Sequence, residues 1–567
     1  MTEQKQAGFI SSAARDGKLG LALSGGGFRA ALFHVGVLAQ MAEKDLLRHV
    51  SVISTVSGGS IIGAFYYLKL KQLLEGRRED NLVPSAEGFL QLVQEIEREF
   101  LVAVQHNLRL ATFADPRQNA RMLGDKYSST MRLADLFNQY FYSPVTGGSN
   151  HLLTDLPISP VLDPAAESCQ FVVPKLVINA TALNTGHLFQ FTTAYVGESR
   201  ISLAVGDTPD MPILRRLALD DPALDAGQRQ HLHRISIGDA VAASCCVPGL
   251  LDPFSLGGLY RDKEHEEVVV RLVDGGVFDN QGLVSLYEEG CTHFISSDAS
   301  DLLKWQAHPE EQIHNVAMRA NDIMMDRIRN ELMDKLSRRE EENYVIITLG
   351  DQADIPIFHD DFHVIKALGA IRTDLDAFTD LEASTLMYYG FRLSEQRFTS
   401  AVAANADHWR FSAARDMEAE ASGREKLLRA LEVGSRQFMK IFYLGRPLPY
   451  LILVIPMIIP VALLGLLIYM LPPVPLEVWV VLALLGLIGI AFSQNARIIE
   501  KLDQFPAFTR FRRRLAVIMR PLGMTVMLGM LGAGVCRVNL RVFNRLFLKY
   551  GRLHHQAKAS NQGAGRG

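Results

Sequence analysis

Between residue 18 and about residue 300, short apolar runs rich in β-branched residues alternate with longer stretches of helical spacing. The runs are Leu19–Leu23, Val50–Ile53, Leu176–Ile178, Val268–Val273 and Phe294–Ser296. Short, nearly all-apolar runs followed by amphipathic stretches are the pattern of buried strands covered by helices. The expected fold class is therefore α/β, with a mainly parallel central sheet. From Lys71 to Pro160 the chain is charged and helical without a strong strand run. This segment, 71–160, reads as a helical insertion over the sheet that could act as a lid. Gln312 to Glu342 places Val316, Ile323, Ile328, Leu332 and Leu336 at helical spacing, the pattern of an outer packing helix. Asp374 to Phe442 also reads as helical. The chain thus divides into an N-terminal tail (1–17), an α/β domain (18–300) and a helical extension (301–442).

Two uncharged segments follow. Tyr450 to Leu471 has 22 residues without a charge, and Val478 to Ala496 has 19, with Pro472, Pro473 and Pro475 between them. At about 1.5 Å per residue each can cross a hydrocarbon core of roughly 30 Å. The expectation is a transmembrane hairpin over 447–496, followed by a basic membrane-proximal region over 497–567. Lys440 and Arg446 precede the hairpin, its turn lacks Lys and Arg, and Arg497 follows it. By the positive-inside rule both termini and the α/β domain face the cytoplasm, with the chain in the inner, cytoplasmic membrane. A helical pair buried in a soluble core is the alternative. The uncharged stretch Pro521 to Cys536 is shorter and glycine-rich. It reads as lying in the interface or as a short third span.

Composition adds to this picture. Hydrophobic residues make up 48% of the 567, a share that suits contact with lipid. The net charge of −4 gives no reason to expect a nucleic-acid partner. From Gln494 onward, 14 Lys and Arg face only Glu500 and Asp503, so the tail suits an anionic membrane surface. The five cysteines (Cys169, Cys245, Cys246, Cys291 and Cys536) are odd in number and lack metal spacing, which points to a reducing compartment. The first 18 residues carry no apolar core of a secretory signal.

Candidate chemistry sits at the ends of three runs. Ser57, in Thr55-Val56-Ser57-Gly58-Gly59, lies between a strand and a helix, where a serine can be thrust from the sheet edge. Gly25-Gly26-Gly27 follows the first run and opens a helical stretch, so it can offer amides and the positive end of a helix dipole to an oxyanion. Asp274, in Asp274-Gly275-Gly276, is the carboxylate placed to accept the serine proton. Arg29 adds a positive charge that could meet a phosphorylated head group.

Three stretches together resemble the patatin-like phospholipase family: Leu23-Ser24-Gly25-Gly26-Gly27-Phe28-Arg29-Ala30, Val56-Ser57-Gly58-Gly59-Ser60 and Asp274-Gly275-Gly276. Asn179 to Gly186 and Ala242 to Gly249 resemble its segments beside the site and before the aspartate strand. The resemblance covers roughly 18–300. It implies a three-layer sandwich and a Ser–Asp dyad without a catalytic histidine, Ser57 as nucleophile and Asp274 as base. It also implies an oxyanion hole from Gly25, Gly26 and Gly27, with Arg29 matching the arginine of that motif. The implied substrate is a membrane phospholipid or other acyl-ester lipid, cut as by a phospholipase A or lysophospholipase. No metal and no organic cofactor is implied. Thr55 departs from the Gly-x-Ser-x-Gly pattern at its first position.

Other readings compete. A conventional triad would recruit His293, His308 or His314. A dinucleotide fold would use Gly25, Gly27 and Ala30 with Glu43 or Asp45 at the ribose. A metal hydrolase would use His359 and His363. A non-catalytic membrane scaffold would leave Ser57 without a role.

Overall fold

The computed structural model describes residues 17–444 and 532–553, apart from short stretches at 79, 125–126, 149–150, 165–169, 201–213, 263–265, 301–302, 304, 310, 340–342, 352–355, 399–404 and 437–439. Ten strands form one sheet. In chain order they are β1 (Leu19–Leu23), β2 (Val50–Val56), β3 (Lys175–Ala182), β4 (Leu188–Thr192), β5 (Tyr195–Glu198), β6 (Leu217–Ala218), β7 (Phe254–Arg261), β8 (Glu267–Asp274), β9 (His293–Asp298) and β10 (Tyr344–Thr348). The sheet order is β10-β9-β1-β2-β3-β4-β5-β6. From β10 to β3 all neighbours are parallel. Beyond β3 every pairing is antiparallel, including β8 on β3 and β7 on β8. The sheet is therefore mixed, and the expected parallel arrangement belongs to the five strands β10, β9, β1, β2 and β3.

Parallel strands must be covered on both faces, which is why β1 (LGLAL) carries no polar side chain. Its alternate residues serve two layers. Leu19, Leu21 and Leu23 join the main core with helices α1 (Gly27–Glu43) and α2 (Gly58–Leu74). Ala22, with Val52, Val177 and Phe294, faces a second layer closed by Leu283, Leu286 and Leu336. This is the three-layer arrangement the resemblance implied.

Two expected boundaries change. Within 71–160, helix α3 (Ala86–Ala103) buries Phe89, Leu92, Val93, Ile96 and Phe100 in the main core, and Phe65 and Phe100 meet edge to face at 5.5 Å. That helix is a core layer rather than a lid. The segment 301–442 is not only helical, because β10 extends the sheet and α4 (Asp380–Arg397) crosses α1 at close range. A Cβ on Gly36 would lie 2.0 Å from the Met387 carbonyl oxygen, and one on Gly390 2.4 Å from that of Phe33. Glycine on both helices permits the crossing.

Both candidate membrane spans, Tyr450 to Leu471 and Val478 to Ala496, lie outside the described residues, as does most of 521–536. Among the described residues no helix is long and apolar enough to cross a membrane. The two sides of this stretch meet: Val433 and Ile441 pack with Phe543 and Phe547, and Lys440 Nζ sits 4.2 Å above the Phe547 ring.

Candidate active site

The chain leaves β2 at Val56 and turns at Ser57 into α2. Ser57 has φ 47° and ψ −116°, a left-handed backbone that costs a non-glycine residue roughly 1–3 kcal/mol. The turn is braced at several points. The Ser57 N–H donates to Ser244 Oγ at 2.9 Å, and Ser244 Oγ donates to the Asn179 carbonyl at 2.6 Å. The Gly59 N–H donates to the Ser24 carbonyl at 3.1 Å. Thr55 fits the position before the turn because its hydroxyl donates to Val177 O at 3.1 Å and accepts from Ser60 Oγ at 3.0 Å. Its methyl lies where a Cβ on Gly63 would come within 2.4 Å, so Gly63 makes room for it.

Asp274 ends β8 opposite Ala180 of β3. Because β8 runs antiparallel to β3, its last residue reaches the site only through a three-residue overlap, Ala180 to Ala182 against Asp274 to Leu272. The Asp274 N–H donates to the Cys246 carbonyl at 2.8 Å, and Oδ1 accepts the Gly276 N–H at 2.8 Å. The Ser57 side chain adjoins the same carboxylate and favours its charged form. Both residues are buried, Ser57 at 8% and Asp274 at 6% exposure. Burial pushes the Asp274 carboxyl up to about 6, opposed by the Gly276 amide and the Ser57 hydroxyl.

The glycine loop wraps this pair. A Cβ on Gly25 would lie 3.2 Å from Ser57 Cβ. The Gly25 N–H is already donated to the Asn280 carbonyl at 3.0 Å, so Gly25 lines the site without offering its amide to an oxyanion. The amides of Gly26 and Gly27, entering α1, and of Gly58, entering α2, belong to helix ends where intrahelical acceptors do not exist. Gly26 (φ 134°) and Gly27 (φ 59°) occupy backbone regions that disfavour side chains. Two helix N-termini thus converge beside Ser57 and favour negative charge there.

Arg29 does not face a ligand. It is 1% exposed, and its guanidinium donates to the carbonyls of Ile371 (3.1 Å) and Ala299 (3.0 Å). Its role is to tie two loops to α1, which corrects its assignment as an anion or head-group ligand. Below the glycine loop, His34 bonds the Ser24 carbonyl through Nε2 (3.0 Å) and Ser297 Oγ through Nδ1 (2.6 Å). Burial lowers its pKa to about 4, so it is neutral: Nε2–H donates to the carbonyl and Nδ1 accepts. The motifs did not include His34, and Ser244 lay within the Ala242–Gly249 stretch without a role of its own. Their signal was only a polar residue on an apolar helix face.

Among the described residues the competing constellations are not assembled. His293 starts β9, at the opposite end of the parallel strands from Ser57, and bonds Thr292 Oγ1. His308 is exposed, and the His314 side chain lies outside the described residues. Glu43 closes α1 at the end away from the glycine loop and accepts from Trp409 Nε1, while Asp45 pairs with Arg48. His363 pairs with Asp360 at the exposed start of its helix. Among the described residues no group of three or more His, Cys, Asp or Glu is arranged to hold a metal.

A serine on a strained strand-to-helix turn, next to a buried carboxylate and beside helix-terminal amides, has the parts that nucleophilic attack on an acyl carbonyl requires. Residues 21–287 match the family model described as patatin-like phospholipase. No curated protein gives a significant match. Among solved structures, human GIVD cytosolic phospholipase A2 is 14% identical with a TM-score of 0.35, over 70% of this chain and 64% of that one. The same human protein in complex with methyl gamma-linolenyl fluorophosphonate gives 15% identity and a TM-score of 0.33, over 70% and 61%. VipD from Legionella pneumophila is 13% identical with a TM-score of 0.24, over 97% and 94%. The chain thus spans about 64% of the length of the human structure it matches.

Proposed function

We propose that this protein is a lipid acyl hydrolase, a membrane-anchored phospholipase A or lysophospholipase that works through a Ser57–Asp274 dyad and an acyl-enzyme. The observation that carries the reading is the placing of Ser57, on its strained turn, beside a buried carboxylate whose pKa burial lifts to about 6. A base of that strength can accept a proton near neutral pH without an imidazole. Ser57 Oγ attacks the fatty-acyl carbonyl and its proton passes to Asp274. The oxyanion takes hydrogen bonds from the amides of Gly26, Gly27 and Gly58. Collapse expels the lipid alkoxide, which takes the proton from Asp274 and leaves as the lyso product. Water then attacks the acyl-enzyme, Asp274 accepts its proton and returns it to Ser57 Oγ, and the fatty acid departs.

The substrate is a membrane phospholipid or another acyl-ester lipid. Anchoring through 447–496 at the inner membrane, with the α/β domain on the cytoplasmic side, holds the site where such lipids are. Two tests apply. Full-length protein incubated with vesicles of mixed phospholipids, with products identified by mass, yields lyso-lipid and free fatty acid; the Ser57→Ala protein yields neither. Absence of both from the unaltered protein contradicts the reading. Deleting 447–496 moves the protein from the membrane pellet to the supernatant, and a truncation that still pellets contradicts the anchor.

A further inference from the structure

The long helix Ile313–Ser337 is seated firmly at its C-terminal half. Leu332 and Leu336 join the second layer with Leu283, Leu286 and Phe294. Arg329 Nε donates to Asp298 Oδ2 at 2.6 Å, and Asp298 is fully buried at the end of β9. One turn earlier the helix reaches the site. A Cβ on Gly276 would lie 3.0 Å from Met325 Cε and 3.0 Å from Asp274 Oδ1, so the methionine methyl is a near neighbour of the carboxylate.

The N-terminal half has no comparable seat among the described residues. Val316 and Ile323, expected on the packing seam, are each 49% exposed, with Ile313 at 91% and Met324 at 58%. Ala317 and Ala320 are exposed as well. Positions 313, 316, 317, 320, 323 and 324 share one face at helical spacing. Met318 and Met325, on the other face, are half-buried. The helix thus turns an apolar stripe away from the protein while its inner face adjoins Asp274. Trp305, shortly before the helix, is 86% exposed.

We infer that this stripe seats on a phospholipid surface, an inference that rests on the lipid acyl hydrolase reading. Its size argues against a protein partner. Twelve helical residues span about 18 Å, and a helix is roughly 10 Å wide, so the stripe offers about 200 Å². A stable protein interface buries about 800 Å² on each side. A bilayer imposes no such minimum, because each apolar side chain sunk among acyl chains contributes by its own area. Trp305 is of the residue type that favours the boundary between lipid and water. Seated in this way, the helix turns the Asp274 end of the sheet toward the lipid. The contact is separate from the segment 447–496 and sets the orientation of the domain rather than its attachment.

The test uses the full-length chain in phosphatidylcholine vesicles, with Ser57→Ala added so that the lipid stays intact. A nitrobenzoxadiazole label is placed on Ile323→Cys. The control label is on Asp334→Cys, in the seated half of the same helix, where the Asp334 side chain is 60% exposed. Protein without either added cysteine gives the background from the native ones. Phosphatidylcholine brominated on its acyl chains is expected to quench the Ile323→Cys label strongly and the Asp334→Cys label little. In protein that retains Ser57, Val316→Glu combined with Ile323→Glu is expected to lower the ratio of kcat/KM on vesicle phospholipid to that on nitrophenyl butyrate. The expected fall is at least about tenfold, the effect of losing roughly two buried methylenes. Equal quenching of the two labels, or an unchanged ratio, overturns the inference. Emission from the Ile323→Cys label that follows protein concentration instead of brominated lipid assigns the stripe to a second copy of the chain and also overturns it. A Ser57→Ala protein that still turns over butyrate would refute the role of Ser57 instead, while the quenching continues to decide the stripe.

Discussion

Gly58 approaches Gly27 so closely that a methyl group on Gly58 would sit 2.1 Å from the Gly27 carbonyl oxygen. The serine turn and the glycine loop are therefore fitted to each other through two residues without side chains. Any Cβ at position 58 must push the nucleophile away from the amides. Gly58→Ala is expected to lower kcat on a soluble ester by about 100-fold, the usual effect of a 1 Å misplacement. Steady-state kinetics with a thermal melt checks that the loss exceeds what the change in stability explains.

The pH dependence follows from Asp274. Its base form is populated above its pKa of about 6, so kcat/KM rises with pH through that value and then levels. Asp274→Asn removes the base and abolishes turnover. Stability moves the other way. A carboxyl raised in the folded state contributes stability at acid pH, and that contribution is lost as pH rises through about 6. With a rise from 3.8 to about 6, the buried carboxylate costs the native state about 3 kcal/mol at pH 8. Asp274→Asn is thus expected to melt above the unaltered protein at pH 8, with the gap closing toward pH 4.

Ser244 supports the nucleophile from behind. Its hydroxyl accepts the Ser57 N–H and donates to the Asn179 carbonyl, both buried. Ser244→Ala leaves both groups unpaired and is expected to cost about 1–3 kcal/mol in urea unfolding. It also loosens the Ser57 turn, so kcat falls while KM changes little; a rate equal to that of the unaltered protein would show that the turn holds itself.

The loop at 371–376 is pinned by a buried ionic cluster. Arg372 pairs with Glu382 at 2.6 Å and with Asp376 at 3.1 Å, and Lys440 reaches Asp376 at 2.8 Å. Lys440 belongs to the segment just before the uncharged stretch, and the Asp374 carbonyl in this loop holds the Phe28 N–H. Lys440→Met leaves Asp376 short of a counter-charge in a buried site. The expected loss is about 3–5 kcal/mol, measured by denaturant unfolding of the full chain in detergent.

Much of this was legible in the sequence because the fold is simplest where the site is. Strand β1 is an unbroken apolar run, β2 and β9 are almost wholly buried and each contains a short apolar run, and the glycine triplet and Ser57 follow β1 and β2 directly. Of the antiparallel part, only β8 was legible, as the run Val268–Val273. β4 and β5 are short, and β7 is broken by Gly257 and Gly258, so neither gives a strong run. β10 lies beyond the long helix Ile313–Ser337, which hides that the sheet continues. Arg29 and Gly25 were misjudged for one reason. A motif gives residue types, whereas the groups that take up a guanidinium or an amide, here the carbonyls of Ile371, Ala299 and Asn280, come from distant loops.

The central claim is that Ser57, activated by Asp274, is the nucleophile. The most direct measurement is reaction with an alkyl fluorophosphonate, followed by intact mass and peptide mapping. One adduct per chain is predicted, located on Ser57, absent in Ser57→Ala and much slower to form in Asp274→Asn. An adduct on another residue, or undiminished labelling of Ser57→Ala, would contradict it.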